Sequence, residues 1–267
     1  MDVNVYHFTA ALILSLIAGL STGLGGCLSL FVKSNNTKFL AFSLGFSAGV
    51  MIYISLVEIL KEANIFLTIS LGEKIGNLYL IIYFFIGMLI IALINKLIPY
   101  QIHLKSIKTK DNNFKNRLKL MRTGLFTALV IAIHNFPEGI ISFITSLQSL
   151  SLGIPIVIAI ALHNIPEGIS VSIPIYYATN SRGKALFYSF LSGLTEPLGA
   201  LLGYYILKPF LNNVIFGLLY AVIAGIMVFI SFNELLPTAR KYGENYLSIS
   251  GLIVGMMFMA FSLWLFI

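Results

Sequence analysis

Long apolar stretches follow one another along almost the whole chain, with short polar gaps between them. We place these stretches at residues 6–32, 38–60, 77–98, 123–145, 152–177, 184–207, 212–237 and 246–267. A helix needs about 20 predominantly apolar residues to cross the hydrocarbon core of a membrane. Of the 267 residues, 58% are hydrophobic and 10% are charged, against about 45–50% and about 25% in soluble domains. The chain therefore predicts an all-α integral membrane protein with eight transmembrane helices.

One long polar segment interrupts this pattern at residues 99–122, between the third and fourth spans. It is basic and rich in Asn, and His103 is its one histidine. We predict a cytoplasmic loop that contacts anionic lipid headgroups, and a metal-sensing loop is the less favoured alternative. Residues 1–267 then form a single polytopic membrane domain. The first stretch has no basic residue before it and exceeds the length of a signal-peptide core, so we predict that it is a helix of the mature protein.

The distribution of Lys and Arg predicts the orientation of the spans. With eight spans both termini lie on the same side, and short cytoplasmic loops carry most of the basic residues. If both termini are extracytoplasmic, all of the 17 Lys and Arg residues except Lys61, Lys74 and Lys208 lie in or beside internal loops. This orientation is therefore expected. The net charge of +7 is spread over loops and forms no continuous face, which argues against nucleic acid as a partner.

A six-residue motif occurs twice, as His-Asn-Phe-Pro-Glu-Gly at 134–139 and His-Asn-Ile-Pro-Glu-Gly at 163–168. The two copies lie on consecutive spans, which run in opposite directions. Inverted repeats of this kind place substrate sites near the middle of the membrane in many transporters. We therefore expect an inverted-repeat-like organisation in which the two copies face each other.

Acidic residues are unusually frequent inside the apolar stretches. Five of the ten in the chain lie there, namely Glu58, Glu138, Glu167, Glu196 and Glu234. An ionised side chain at the centre of a bilayer costs about 3 kcal/mol even on lenient scales. These carboxylates must therefore be clustered, protonated, hydrated or bound to metal.

The spacing within the motif favours metal binding. His134 and Glu138, like His163 and Glu167, are four residues apart and so share one helical face. Two imidazoles and two carboxylates around one centre suit Zn²⁺ or Fe²⁺ better than Mg²⁺ or Ca²⁺, which prefer oxygen ligands alone. Asn135 and Asn164 add amide oxygens where a second ion would share the carboxylates.

The prolines and several other residues extend this hypothesis. Pro137 and Pro166 lack an N–H and leave helical carbonyls without a partner, which predicts a kink with a polar notch. The best additional ligand is Glu196, which lies beside Pro197. Glu58, Asn233 and Glu234 are candidates for metal ligation or for an entrance or exit path. Met51 is a weaker candidate for a thioether contact. Cys27 is the only cysteine, which excludes an intramolecular disulfide and a zinc site built from several cysteines.

The two motifs, together with Ser-Gly-Leu-Thr-Glu-Pro-Leu-Gly-Ala at 192–200 and Phe-Asn-Glu-Leu-Leu-Pro at 232–237, resemble the ZIP (Zrt/Irt-like) family of divalent metal transporters, and its bacterial ZupT branch in particular. The resemblance implies a binuclear centre in the middle of the membrane. Its first site would use His134, Glu138, His163 and Glu167, with Met51 close by. Its second would use Asn135, Asn164 and Glu196, with Glu138 and Glu167 bridging. The family also implies that both termini are extracytoplasmic.

We therefore predict a secondary transporter of the bacterial inner membrane that takes up zinc, and also iron, cobalt, manganese or cadmium, by alternating access. The expected partners are these ions and membrane lipid; no cofactor is expected, and a homodimer is left open. The alternative is an intramembrane metal-dependent hydrolase, because zinc held by His and Glu can activate water. That enzyme's usual His-Glu-x-x-His helix is absent from the sequence. A proton-coupled carrier of organic solutes would explain the buried Glu residues but not the two His-Asn pairs.

Overall fold

The computed structural model describes residues 5–33, 36–97, 112–207, 210, 212–242 and 245–265. Every regular element among these residues is helical. Eight helical runs within them are long and apolar enough to cross a membrane, and we number them span 1 to span 8: Val5–Leu30, Thr37–Leu71, Glu73–Lys96, Asn113–Gln148, Gly153–Thr179, Arg182–Ile206, Asn213–Tyr242 and Asn245–Trp264. The prediction of eight spans in an all-α fold is confirmed for this part of the chain.

Several spans are interrupted by a change of helix type. Spans 3, 4, 5 and 8 are single α-helices, Glu73–Leu97, Asn112–Gln148, Leu150–Thr179 and Asn245–Trp264. Span 1 joins α-helix Val5–Gly26 to the 3₁₀ turn Cys27–Leu30. Span 2 consists of Thr37–Ile54, the π-helix Ser55–Ile59 and Leu60–Leu71. Span 6 consists of Arg182–Gly193, Thr195–Leu202 and the π-helix Gly203–Leu207. Span 7 consists of Asn213–Ile230, the π-helix Ser231–Leu235 and Leu236–Tyr242.

Local sequence signals account for where these helices begin and end. The side chains of Asn36, Ser181 and Asn212 each accept a hydrogen bond from the backbone N–H three residues later, and such caps satisfy a free donor at a helix start. Gly72 has φ +79° and Asn180 has φ 53°. Positive φ ends a helix, and Gly and Asn are the residues that adopt it most readily.

The two largest differences from the boundaries predicted from hydropathy are in spans 2 and 4. Span 2 continues to Leu71 and not to residue 60, because Lys61, Glu62 and Ala63 are polar or small but are good helix formers. The helix that contains span 4 begins at Asn112, so the segment predicted as a loop over 99–122 is helical in its second half. The rest of that segment, including His103, lies outside the described residues.

The spans pack as two groups of four. Spans 1, 4, 5 and 6 contact one another extensively and form what we call the motif bundle, because it carries both copies of the repeated motif. Spans 2, 3, 7 and 8 form the flanking bundle. The two bundles meet mainly where span 2 contacts span 5, with further contacts from span 7 to span 4 and from span 8 to span 5.

The glycine that ends each motif allows close packing inside the motif bundle. A Cβ added at Gly139 would clash with the carbonyl oxygen of Glu196 on span 6, and one added at Gly168 would clash with the carbonyl oxygen of Thr22 on span 1. Small residues let membrane helices approach at their backbones. Each motif helix is therefore held against a neighbour one residue beyond its glutamate.

A second internal repeat relates span 2 to span 7. Ala48–Leu60 reads AGVMIYISLVEIL and Ala224–Leu236 reads AGIMVFISFNELL, with 7 of 13 positions identical. Both segments contain a π-helix that starts at the shared serine, Ser55 or Ser231. Each serine hydroxyl donates to the carbonyl of the methionine four residues earlier, at 2.6 and 2.8 Å. Spans 2 and 7 run in opposite directions, so Glu58 and Glu234 occupy equivalent positions at opposite ends of the bundle.

Candidate metal centre

The two copies of the motif converge in the middle of spans 4 and 5. The Nε2 atom of His134 lies 3.3 Å from Oε1 of Glu138 and 3.5 Å from Oε1 of Glu167. The Nε2 atom of His163 lies 3.2 Å from Oε1 of Glu138. All four residues are buried. The facing arrangement predicted from the repeat is therefore present.

These separations match the spacing of ligands around a single ion. Zinc binds imidazole nitrogen and carboxylate oxygen at about 2.0–2.2 Å, and tetrahedral geometry then puts two ligand atoms about 3.3–3.6 Å apart. Ligand atoms of His134, His163 and Glu167 all lie within 4.8 Å of one another. Two imidazoles and a carboxylate so placed form a donor set typical of zinc and unusual for calcium or magnesium.

The prolines of the motif lie inside continuous helix. Pro137 and Pro166 occur within Asn112–Gln148 and Leu150–Thr179, one residue before Glu138 and Glu167. Neither proline can donate to the carbonyl four residues earlier. The carbonyl of Pro166 itself accepts a hydrogen bond of 2.7 Å from the hydroxyl of Ser47 on span 2. This contact fixes the motif of span 5 against the flanking bundle.

The asparagines of the motif point away from the imidazoles toward spans 1 and 6. The amide of Asn164 donates to Oε2 of Glu196 at 2.9 Å and to the carbonyl of Ala18 at 3.0 Å. Its own oxygen and Oε1 of Glu196 have no hydrogen-bond donor among the described residues. Buried oxygens normally accept a hydrogen bond. Since these two have no donor in the described part of the chain, both are available to a cation.

Asn135 connects this pair to the histidine cluster. With its nitrogen turned toward Glu167, its amide donates to Oε2 at 3.3 Å and to the carbonyl of Ile131 at 3.2 Å. We favour this orientation because the opposite one directs the amide oxygen at other acceptors. Asn135, Asn164 and Glu196 thus form a second group of oxygens beside the first, and all three side chains are fully buried.

A cavity of about 230 Å³ leads from one end of the bundle to the cluster. It is lined by His163 and Glu138 of the cluster and by Phe66 and Thr145, which lie near the ends of spans 2 and 4. Glu58 lines the cavity and lies well before the end of span 2; its role as a path residue or ligand stays a prediction. We call this end of the bundle the cavity end.

Glu62 also lines the cavity, and sequence reasoning did not select it. It is four residues after Glu58, so the two carboxylates share one helical face. Lys61 lies 4.0 Å from Glu58. The four-residue spacing of Glu58 and Glu62 is visible in the sequence. Glu62 was nevertheless assigned to a loop, because span 2 was expected to end at residue 60.

Glu234 lies near the other end, away from the histidine cluster. Its carboxylate is 3.1 Å from Nη1 of Arg122 on span 4 and accepts from Asn95 of span 3 at 3.2 Å. The side chains of Arg122 and Glu234 are only 13% and 5% exposed. In this structure Glu234 is thus paired with Arg122 and lies apart from the histidine cluster, and its part in metal ligation or conduction stays a prediction.

The two remaining candidates are placed differently. Met51 is buried in the main apolar core with Val50 and Ile52, and its thioether contact with the metal stays a prediction. Asn233 is exposed, and its amide donates to Oε1 of Glu234 at 3.2 Å. Arg122 and Asn95 were missed because nothing in their local sequence indicates a buried polar contact.

Comparison with known proteins identifies the family. The family model described as ZIP Zinc transporter matches residues 106–263. The chain is 54% identical over 261 residues to the zinc transporter ZupT of Streptococcus mutans serotype c, which covers 98% of this chain and 99% of that protein. It is 52% identical over 280 residues to the zinc transporter ZupT of Clostridium perfringens, covering 99% and 98%.

A third relative, the zinc transporter ZupT of Oceanobacillus iheyensis, is 55% identical over 260 residues, with 96% and 97% of the two chains covered. These relatives are transporters and not enzymes, so the hydrolase alternative has no support. Together with the eight spans and the buried His/Glu cluster, the matches show that this chain belongs to the ZIP family of zinc transporters, multi-pass proteins of the bacterial cell membrane.

Proposed function

We propose that this protein takes up zinc through the centre formed by the two motifs. The observation that carries the proposal is the convergence of His134, Glu138, His163 and Glu167, whose ligand atoms are spaced as around one ion. Zinc is the cargo here and not a resident cofactor. Iron, cobalt, manganese and cadmium are further cargoes in this proposal, because the same mixed nitrogen and oxygen donors accept them.

The site residues divide into two neighbouring positions for metal. The first uses the two histidines and two glutamates, and we keep Met51 as a soft neighbour. The second uses Asn135, Asn164 and Glu196, and its support is the hydrogen bond between Asn164 and Glu196 with unpaired oxygens beside it. Glu138 and Glu167 stand between the two positions and are suited to bridge two ions.

The difference between the two ends of the helix bundle supports transport by alternating access. The centre lies about 11 residues along span 4 from Thr145 in the cavity and 12 residues from Arg122, about 16–18 Å in each direction at 1.5 Å per residue. With both termini extracytoplasmic, the cavity opens to the outside and the Arg122 end faces the cytoplasm. The motif bundle would move against the flanking bundle to expose the centre to either side. A homodimer remains compatible with this proposal.

Zinc uptake into proteoliposomes tests the function. Purified protein should accumulate zinc, while His134→Ala and Glu167→Gln should reduce the rate at least about tenfold, because each removes a ligand. His7→Ala and Glu73→Gln are matched controls that remove the same residue types outside the centre, and they should transport normally. Wild-type protein that moved no zinc, or centre variants as active as the controls, would refute the proposal.

A further inference from the structure

The two ends of the path are built differently. At the cavity end, spans 2 and 5 are separated by open space lined by Glu58 and Ile156. At the opposite end, polar contacts join the two bundles. Besides the Arg122–Glu234 pair, the hydroxyls of Thr123 on span 4 and Thr238 on span 7 are 3.4 Å apart. The path is thus open at one end and held together at the other.

Further contacts reinforce the closed end. The hydroxyl of Thr123 also lies 3.4 Å from Oε2 of Glu234, and a nitrogen of Arg122 donates to the side-chain oxygen of Asn95. We call Asn95, Arg122, Thr123, Glu234 and Thr238 the latch cluster. Nearer the membrane surface, the hydroxyl of Tyr242 on span 7 donates to the carbonyl of Asn116 at 2.9 Å. Spans 3, 4 and 7 are all tied together here.

A polar stripe on span 4 connects the latch cluster to the metal centre. Thr123, Thr127, His134, Glu138 and Thr145 are spaced by 4, 7, 4 and 7 residues, which places them on one face at 100° per residue. Thr127 is fully buried, and its hydroxyl has no hydrogen-bond partner among the described residues. The stripe therefore continues through a region that is closed in this structure.

The repeat of spans 2 and 7 allows the closed end of the path to be compared with the open end. Glu58 and Glu234 occupy the same position in the two repeated segments. Glu58 lines the open cavity, whereas Glu234 is covered by the guanidinium of Arg122. The two equivalent carboxylates thus have different surroundings. Glu58 is accessible from the cavity, and Glu234 is paired with the guanidinium of Arg122.

We propose that the Arg122–Glu234 ion pair is the latch that closes the cytoplasmic end of the path, and that Arg122 leaves Glu234 when the path opens there. The inference rests on the alternating access proposed above. In the closed state the guanidinium of Arg122 and the carboxylate of Glu234 neutralise each other where both side chains are largely buried. Separating them is costly unless water enters, and opening this end admits that water. Arg122 is a positioning residue for the closed state and does not bind the cargo.

Cysteine accessibility tests the latch without relying on transport. In a Cys27→Ser background, Thr127→Cys reports on the closed part of the stripe and Thr145→Cys reports on the cavity. Reaction rates with a small charged methanethiosulfonate reagent are measured on purified, metal-free protein. Arg122→Gln should raise the rate at position 127 by about tenfold, because loss of one partner of a buried ion pair shifts a two-state equilibrium substantially. It should lower the rate at position 145.

Arg117→Gln is the matched control, since Arg117 is an exposed residue of the same helix. It should leave both rates as in the parent protein. The proposal is overturned if Arg122→Gln changes neither rate, or if it raises both rates as general loosening would. Glu234→Gln should repeat the effect of Arg122→Gln, because it breaks the same pair from span 7.

A cross-link provides a second test that does not depend on those variants folding. Because the hydroxyls of Thr123 and Thr238 are 3.4 Å apart, cysteines at both positions are close enough for a disulfide. Oxidised protein should lose at least about nine-tenths of its zinc uptake, and reduction should restore it. Undiminished uptake with the disulfide formed would overturn the latch. If the reduced protein and the wild type both failed to move zinc, the proposed function would fail, separately from the latch.

Discussion

The Nε2 atom of His163 lies 3.2 Å from Oε1 of Glu138, although these residues belong to different copies of the motif. The reciprocal distance, from Nε2 of His134 to Oε1 of Glu167, is 3.5 Å. Each span therefore supplies a carboxylate to the imidazole of the other. Two antiparallel helices that share five of the six motif residues thus produce one centre with approximate twofold symmetry.

Because Glu138 faces the imidazoles of both spans, its replacement should weaken zinc binding strongly. Glu138→Gln keeps the size of the side chain but removes the charge that faces both imidazoles, so zinc affinity should fall by about 100-fold or more, since even residues that only support metal ligands contribute about 10–100-fold. Competition with a fluorescent zinc chelator measures this in detergent. Glu73→Gln, at an exposed carboxylate, should bind as wild type. Equal affinity in both variants would contradict the assignment of Glu138.

Zinc binding should weaken in acid. An imidazole binds metal only in its neutral form, so protons compete with zinc for His134 and His163. Affinity is then highest above the histidine range and is lost as pH falls through it, from about pH 8 to about pH 5. Titrations at several pH values should show this loss in the wild type. They should show a much shallower dependence in the double variant His134→Gln, His163→Gln. An equally steep dependence in that variant would mean that the protons competing with zinc bind to groups other than these histidines.

Gly139 should not tolerate a larger side chain. Alanine at this position would direct its Cβ into the carbonyl oxygen of Glu196, so spans 4 and 6 would have to separate. We expect Gly139→Ala to destabilise the protein by about 1–3 kcal/mol, seen as a lower melting temperature in detergent. Gly183→Ala is the control, because a Cβ at Gly183 meets nothing within 4 Å. Equal melting temperatures for the two variants would show that the helices do not pack this closely.

The orientation of the spans can be tested with single cysteines in the Cys27→Ser background. Glu73→Cys lies at the start of span 3, and Gly183→Cys lies at the start of span 6; both positions are exposed. With extracytoplasmic termini, a membrane-impermeant thiol reagent added to intact cells should label position 73 and not position 183. The reverse pattern would invert the topology and the direction assigned to the cavity.

Much of this architecture could be predicted from sequence because its signals are local. Eight apolar stretches define the spans, and a repeated hexapeptide motif on neighbouring antiparallel helices predicts a shared centre. The pairing of Asn164 with Glu196 was less certain, because it depends on how span 6 packs. The end of span 2 was misplaced because hydropathy falls at Lys61 while helix propensity does not.

Other features depend on contacts between distant parts of the chain. Arg122 resembles the other basic residues that flank the membrane, and only the approach of span 7 makes it the partner of Glu234. The repeat of spans 2 and 7 was present in the sequence, but conservative apolar exchanges at most of its differing positions concealed it. The shared π-helices at Ser55 and Ser231 made it recognisable.

Anomalous X-ray diffraction at the zinc edge, from crystals grown with zinc, tests the central claim most directly. We predict a strong peak between spans 4 and 5, within about 2.0–2.2 Å of Nε2 of His134 or His163 and of a carboxylate oxygen of Glu138 or Glu167. A second, weaker peak beside Asn164 and Glu196 would indicate the binuclear form. Zinc found only at surface residues, with none between the two motifs, would contradict the account.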